Sequence, residues 1–350
     1  MLIVIAGAGV VGSWIAYELS SANHEIFLID KEPAIWYHTS TRNSGVIHAG
    51  IYYPYHSLKR IFCIQGAALS YEFFKKYNVE HRISGKIIVA TRDEDCEELK
   101  KLKKNGDTNG VKGLKLINSS EIKKLEPFSK AKFALYSPNT GVVNCSDYFR
   151  KMEALLQERK VNIITNCCIE NIKNNKIITN RGELEFDFFI NAAGLYSDKI
   201  ANMCGIEGFE IVPYKGEYYS LNDEKVNSMI YPVPGGEGHL GIHLTKAAYN
   251  EIWIGPTSSK EENKESYDVT EKEDIFIKAC EELLIDFNYK KISPGFAGLR
   301  PKCFHNHQLL HDFLIFRKAN KIHLLGIDSP GLTAAPAIGK FVKNLIITEE

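Results

Sequence analysis

The chain opens with an unbroken apolar run, Leu2-Ile3-Val4-Ile5-Ala6, then Gly7-Ala8-Gly9-Val10-Val11-Gly12, then apolar positions at helical spacing. A second apolar run, Glu25 to Ile29, ends in Asp30. Short apolar runs bounded by glycine are the mark of strands buried on both faces, so the opening predicts strand, tight turn, helix from about Val10 and strand. Helical spacing returns from about Leu58 to Tyr77, in a charged stretch at 93–104, and from Asp147 to Gln157. Between these, residues 82–90 alternate as a strand, Gly106 to Gly113 reads as a loop, and Pro138-Asn139-Thr140-Gly141 reads as a turn.

Further along come a strand in VNIIT (161–165), strand-like segments around Ile169 and Ile177, and an apolar strand from Phe186 to Asn191. Ala192-Ala193-Gly194 would end that strand and Ser197 to Met203 would begin a helix. From Gly208 to about Arg317 strand patterns dominate, with one helix near Lys272 to Leu284, and Lys260 to Glu265 reads as a solvated loop. A strand at Ile322 to Gly326 then leads to a terminal helix, with Ser329 as its cap and Pro330 at its first position. This alternation predicts an α/β chain of the two-domain α+β kind. Residues 1–78, 143–206 and 318–350 would assemble a nucleotide domain, with a mainly antiparallel β substrate domain inserted as 79–142 and 207–317.

Length and charge narrow the function. The 350 residues suffice for two domains, each with its own core. Lys plus Arg and Asp plus Glu both number 43, so no overall field points to nucleic acid or an anionic membrane. The eight cysteines contain no CxxC and read as buried reduced thiols, and no metal site is expected. The strand at residue 2 leaves no room for a targeting segment, and no apolar run approaches the roughly 18 residues of a membrane helix. A cytoplasmic protein is expected.

The first glycine motif carries a mechanism. Its glycines allow a tight turn and close approach of backbone to a pyrophosphate, and the following helix aims its N-terminal dipole at that charge. Asp30 can accept from an adenosine ribose and would repel a 2′-phosphate, leaving FAD or NAD. A second match, Gly236 to Gly241, follows Pro232 and Pro234 and leads into a strand, so it offers no helix to a phosphate.

Thr41-Arg42-Asn43-Ser44-Gly45-Val46-Ile47-His48-Ala49-Gly50-Ile51-Tyr52-Tyr53 resembles a signature of L-2-hydroxyglutarate dehydrogenases and oxidases, within the D-amino acid oxidase-like superfamily of FAD enzymes. Eight further segments agree in order: GKIIVA (85–90), NAAGLYSDKIA (191–201), IVPYKGEYY (211–219), IYPVP (230–234), LGIHLT (240–245), IWIGP (252–256), AGLRPK (297–302) and GIDSPGLT (326–333). The resemblance implies FAD in a Rossmann-like domain of the glutathione reductase type. Electrons would come from an organic substrate, since the chain has no CxxxxC redox pair. The motif and the resemblance together give the expected cofactor residues as Gly7, Gly9, Val10, Val11, Gly12, Asp30 and Lys31, then Thr41, Arg42, Asn43 and Ser44. To these are added Ile169, Ala193, Gly194, Gly298 and Arg300, with Gly331, Leu332 and Thr333 near the flavin N1 and O2.

Oxidising a 2-hydroxy acid needs a cation for the carboxylate, a base for the hydroxyl proton, and flavin N5 within reach of the Cα hydride. Arg300 is the expected carboxylate clamp. His48 and His243 are both candidate bases, and either can instead serve as a hydrogen-bonding histidine. A second substrate carboxylate would find partners among Lys215, Tyr53, Tyr231 and Lys302. Some sarcosine oxidase-like enzymes attach flavin through a cysteine near Cys303, but the hydroxyglutarate enzymes suggest no such match, so FAD is expected to be non-covalent. The leading activity is L-2-hydroxyglutarate to 2-oxoglutarate, with oxygen, a quinone or a redox protein as acceptor; a quinone acceptor would make the protein peripheral at the membrane. Glycerol-3-phosphate oxidation is the rival, and a flavin-binding electron-transfer subunit is a third reading.

Overall fold

The computed structural model describes residues 1–222, 225–235 and 240–347. The opening apolar run forms the strand Leu2–Ala6, paired in parallel with Glu25–Ile29 on one side and Phe188–Asn191 on the other. Asn162–Ile164 extends the sheet beyond Glu25–Ile29, and Lys321–Leu325 extends it beyond Phe188–Asn191, both in parallel. The sixth strand, Leu314–Lys318, closes that edge as an antiparallel partner of Lys321–Leu325. Three distant stretches of sequence thus meet in one sheet. Its central strand carries no solvent-facing side, and Ile3, Val4 and Ile5 are fully buried.

Helices Val10–Leu19, Leu58–Lys76 and Gly331–Ile347 cover one face, where Ile3, Ile5, Trp14, Phe73, Phe74 and Ile338 share a core. Leu58–Lys76 starts cleanly because the Ser57 side chain accepts from the Arg60 N–H, and it ends with Lys75 and Lys76 in the last turn, favourable to the helix dipole. Gly66 lies where this helix meets the terminal one, and a Cβ there would lie 2.1 Å from the Thr333 carbonyl oxygen. The other face packs Val4, Ile29 and Phe189 beneath a small sheet of Ile169–Lys173, Lys176–Thr179 and Gly182–Glu185.

The second large sheet is almost wholly antiparallel. Its backbone is the long pair Phe209–Leu221 and Ile292–His305, registered so that Tyr214 faces Arg300 and Gly216 faces Gly298. Ile252–Gly255, His243–Lys246, Met229–Pro232, Lys86–Ala90, Phe133–Ser137 and Lys115–Asn118 follow in spatial order, and Met229–Pro232 with Lys86–Ala90 is a parallel pair. Helix Glu273–Leu283 covers one face, packing Phe276 and Cys280 against Ile87, Val89, Ile230 and Leu244. The other face presents Ile88, Met229 and Tyr231.

Several elements differ from the sequence expectation. The 82–90 strand divides: His81–Arg82 pairs with Gly141–Val143, and Lys86–Ala90 enters the large sheet after Gly85, whose φ is +73°. The charged helix runs over Cys96–Thr108, beyond the expected loop boundary, because burial of Leu99 and Leu102 carries it on to Gly106, itself packed closely on Leu114. The terminal helix begins at Gly331, and the Pro330 carbonyl accepts from the Ala334 N–H, so Pro330 occupies the cap position assigned to Ser329. The Lys260 to Glu265 stretch is not a free solvated loop. Lys264 pairs with Asp198 at 3.0 Å and Glu265 with Lys31 at 2.9 Å, fastening it to the first sheet's side of the molecule. Most of the second glycine match, 236–239, lies outside the described residues.

Candidate active site

A cavity of about 1480 Å³ runs between the two sheets. At one end its wall is made by Gly7, Gly9, Val10, Val11 and Asp30. Gly7 has φ +101°, and a Cβ there would lie 2.4 Å from the Ala192 carbonyl oxygen. Gly12 is off the wall and acts through packing instead. A Cβ there would lie 2.0 Å from the Gly7 carbonyl oxygen, so its bare backbone lets the helix pass close to the turn. The Val10 N–H donates to Ser40 Oγ at 2.9 Å, while Asp30 accepts from the N–H groups of Ala8 at 2.7 Å and Glu32 at 3.0 Å. Burial raises the Asp30 carboxyl against the pull of these two hydrogen bonds. A bare glycine turn, a helix start and a buried acid fit the pyrophosphate and ribose of a dinucleotide.

The expected cofactor residues divide on inspection. Arg42, Asn43, Ser44, Ala193, Gly194, Gly298, Arg300, Gly331, Leu332 and Thr333 all lie on the cavity wall. Arg42 lies over the Tyr267 ring at 4.1 Å with its Nε lacking a partner, and Gly298 has no side chain because the Arg42 carbonyl passes there. Lys31, Thr41 and Ile169 are not on the wall. Lys31 is held by Glu32 and Glu265; the Thr41 hydroxyl donates to the carbonyls of Trp36 and His38; Ile169 is packed in the core beneath the small sheet. Ser40, one residue before the expected stretch, is the residue that reaches the helix start. Ligand atoms of Glu32, His38 and Glu265 converge within 4.8 Å of one another, and the Lys31 ammonium pairs with both glutamates.

At the other end the terminal helix begins on the wall. Thr333 Oγ1 accepts from the His48 N–H at 3.0 Å and donates to the Val46 carbonyl at 3.2 Å, tying the helix to the His48 segment. Among the described residues His48 Nδ1 has no partner. His243 stands on the strand His243–Lys246, its Nδ1 2.9 Å from the Gly241 carbonyl, so Nδ1 carries the hydrogen and Nε2 keeps a free lone pair. Tyr231 stacks on it at 3.7 Å and 22°. Burial, the largest cause, pushes both histidines down to about 3, with the positive charge of Lys86 adding to it, so both are neutral near pH 7.

Arg300 is directed to the cavity by glycine. A Cβ on Gly216 would lie 2.6 Å from Arg300 Nη2, and the guanidinium donates only long bonds of 3.3 Å to the Thr257 carbonyl. Among the described residues no carboxylate pairs with it. Tyr53, Tyr231 and Lys302 are also on the wall, but the Lys302 ammonium is 2.6 Å from Asp328, which also takes Lys59 at 2.7 Å. Lys215 is not on the wall: Tyr214 and Gly216 face the cavity, so alternation turns Lys215 to the opposite face, beside Glu217, Glu261 and Ser266. Cys303 is also off the wall, packed with Ala201, Ile211 and Leu325, and burial pushes its thiol up to about 11. Sequence reasoning missed Ser40, Tyr52, Lys59, Lys86 and Asp328. For Lys86 the signal was available, because a lysine heading the apolar run IIVA is out of place in a buried strand.

One cavity thus joins a dinucleotide cradle to an unpaired guanidinium and two neutral imidazoles, the equipment of a cofactor-dependent enzyme acting on a small anion. Residues 3–345 match the DAO family model, described as FAD dependent oxidoreductase, and the chain belongs to that family. It is an FAD-dependent oxidoreductase. It is 31% identical to the mitochondrial L-2-hydroxyglutarate dehydrogenase of Caenorhabditis briggsae, over 99% of this chain and 93% of that one. The human mitochondrial L-2-hydroxyglutarate dehydrogenase is 34% identical over 86% of this chain and 71% of its own. Among solved structures, FAD-bound L-alpha-glycerophosphate oxidase from Mycoplasma pneumoniae superposes with a TM-score of 0.90 at 27% identity, covering 99% of this chain and 95% of that one. Among the described residues no helix is long and apolar enough to cross a membrane.

Proposed function

We propose that the enzyme oxidises L-2-hydroxyglutarate to 2-oxoglutarate. The observation that carries this reading is Arg300: an acid-free guanidinium, in space kept open by Gly216, on the same cavity wall as His48 and His243. The identity to L-2-hydroxyglutarate dehydrogenases supports it. Arg300 takes the C1 carboxylate through two parallel N–H donors, which fixes the orientation of Cα. The substrate hydroxyl donates to Nε2 of His243, whose lone pair is held ready by the Nδ1–Gly241 bond, and the proton passes to that nitrogen. His48 steadies the same hydroxyl oxygen, and Tyr231 holds the His243 ring in plane by stacking. The glycine turn, Asp30 and the start of the terminal helix would hold FAD, which when bound would supply the acceptor for the Cα hydrogen and its electron pair. Non-covalent binding of the cofactor is supported by Cys303, which is buried away from the wall, and oxygen, a quinone or a redox protein takes the electrons onward.

Glycerol 3-phosphate oxidation is the second reading, favoured by the superposition on the Mycoplasma enzyme. The test is anaerobic addition of each compound to the holoenzyme, following the flavin absorbance. Bleaching by L-2-hydroxyglutarate alone is expected; bleaching by glycerol 3-phosphate alone overturns the first reading.

A further inference from the structure

The lysines on and around the cavity wall are nearly all paired. Lys59 and Lys302 share Asp328, Lys31 has Glu32 and Glu265, and Lys215 lies 3.7 Å from Glu261 and 3.9 Å from Glu217. Lys86 is different. Strand alternation sends Ile87 and Val89 under the helix Glu273–Leu283, and puts Lys86 on the same face as Ile88, Met229 and Tyr231. Its side chain is 1% exposed, and its ammonium lies 4.4 Å from the Tyr231 ring centre and 4.7 Å from that of Tyr52. Tyr52, Tyr231, His48 and His243 all belong to the cavity wall, so the ammonium sits directly behind it. The titratable groups that face it are those four and Cys63, all uncharged near pH 7. Among the described residues no acid pairs with Lys86.

Aromatic faces offset part of the cost of burying an ammonium, but an unpaired buried cation still lacks its counter-charge. Burial pushes Lys86 down to about 7, so an anion arriving in the cavity draws a proton onto it. Arg300 supplies one cation for one carboxylate. We propose that Lys86 is a positioning residue for a second one: through the wall of Tyr52, Tyr231 and the two histidines, its charge makes the site select a dicarboxylate over a monocarboxylate. This deepens the reading of the substrate as L-2-hydroxyglutarate and rests on it.

The test uses two unreactive ligands, glutarate and butyrate, bound to the FAD-loaded enzyme and followed by perturbation of the flavin spectrum. Wild type should bind glutarate at least about tenfold more tightly at pH 7 and lose that preference by up to tenfold per pH unit above it, as Lys86 loses its proton. Lys86→Met, which keeps the length of the apolar stem, should bind the two ligands alike, with the butyrate constant unchanged within about twofold. Equal weakening of both ligands, a preserved preference in the variant, or no preference in wild type overturns the proposal. If the variant does not retain flavin, the wild-type pH series decides, and a preference constant to pH 9 overturns it. Failure of L-2-hydroxyglutarate to bleach the flavin, with the Lys86-dependent glutarate preference intact, removes the substrate assignment and leaves this inference standing.

Discussion

Arg300 and His243 owe their proposed roles to what their neighbours lack. A side chain on Gly216 would collide with the guanidinium, and an acid beside Arg300 would occupy the fork meant for a ligand. Arg300→Lys keeps the charge but replaces a planar fork by a point charge, so kcat/KM should fall about a hundredfold, about 3 kcal/mol of transition-state binding. Steady-state kinetics on the dye-coupled reaction measures it, and an unchanged kcat/KM would remove the clamp. His243 held down to about 3 must be neutral to accept a proton, so activity should persist on the acid side until well below pH 5. His243→Asn should lower kcat far more than it raises KM, and His48→Asn should lower it less. The reverse order would move the proton to His48.

Among the elements, helices meet at glycines and so transmit their positions to the site. Leu58–Lys76 approaches the terminal helix at Gly66, and the Thr333 carbonyl occupies the place of a Cβ. Thr333 also binds the His48 backbone, so a shift there reaches the cavity. Gly66→Ala should destabilise the protein by about 1–3 kcal/mol through overpacking and loosen FAD, read as a lower thermal midpoint and a weaker flavin dissociation constant. Gly235→Ala, where no described residue lies within 4 Å of the added Cβ, should leave both unchanged. The elements themselves were largely legible. Ser197–Met203 and the opening strand–helix–strand appear as expected, because periodicity and glycine are local signals. The divided strand at 82–90 and the fastened stretch near Lys264 were not, because their partners Gly141–Val143 and Asp198 are more than 50 residues away.

For the whole molecule, burial of neutral histidines couples folding to pH. His323, on the sheet strand Lys321–Leu325 and stacked on Phe316 of the neighbouring strand, is fully buried, and burial pushes it from 6.5 down to about 4, while His243 goes to about 3. Below pH 6.5 the unfolded chain binds protons that the folded one refuses, so this stability is present above 6.5 and is lost as pH falls toward the folded values. At pH 5 the loss is about 2 kcal/mol for each of the two. The thermal midpoint should drop between pH 7 and 5, and His323→Gln, which does not titrate, should drop less steeply; equal slopes would contradict the burial argument.

The amino-acid sequence by itself determined the buried parallel strands and the glycine turn with Asp30, since each follows from backbone demands or from residue types a few positions apart; His48, His243 and Arg300 stood out as candidates through the segments that resemble the hydroxyglutarate enzymes. Only the tertiary structure decided which cations are free. Lys215 and Lys302 read as candidates and Lys86 only as a lysine at the head of an apolar run, yet alternation turns the first away, Asp328 claims the second, and the third is buried behind aromatic rings with no acid paired to it among the described residues. The charge and reach of a lysine are set by burial and partners, and those come together only when strands far apart in the chain are laid side by side.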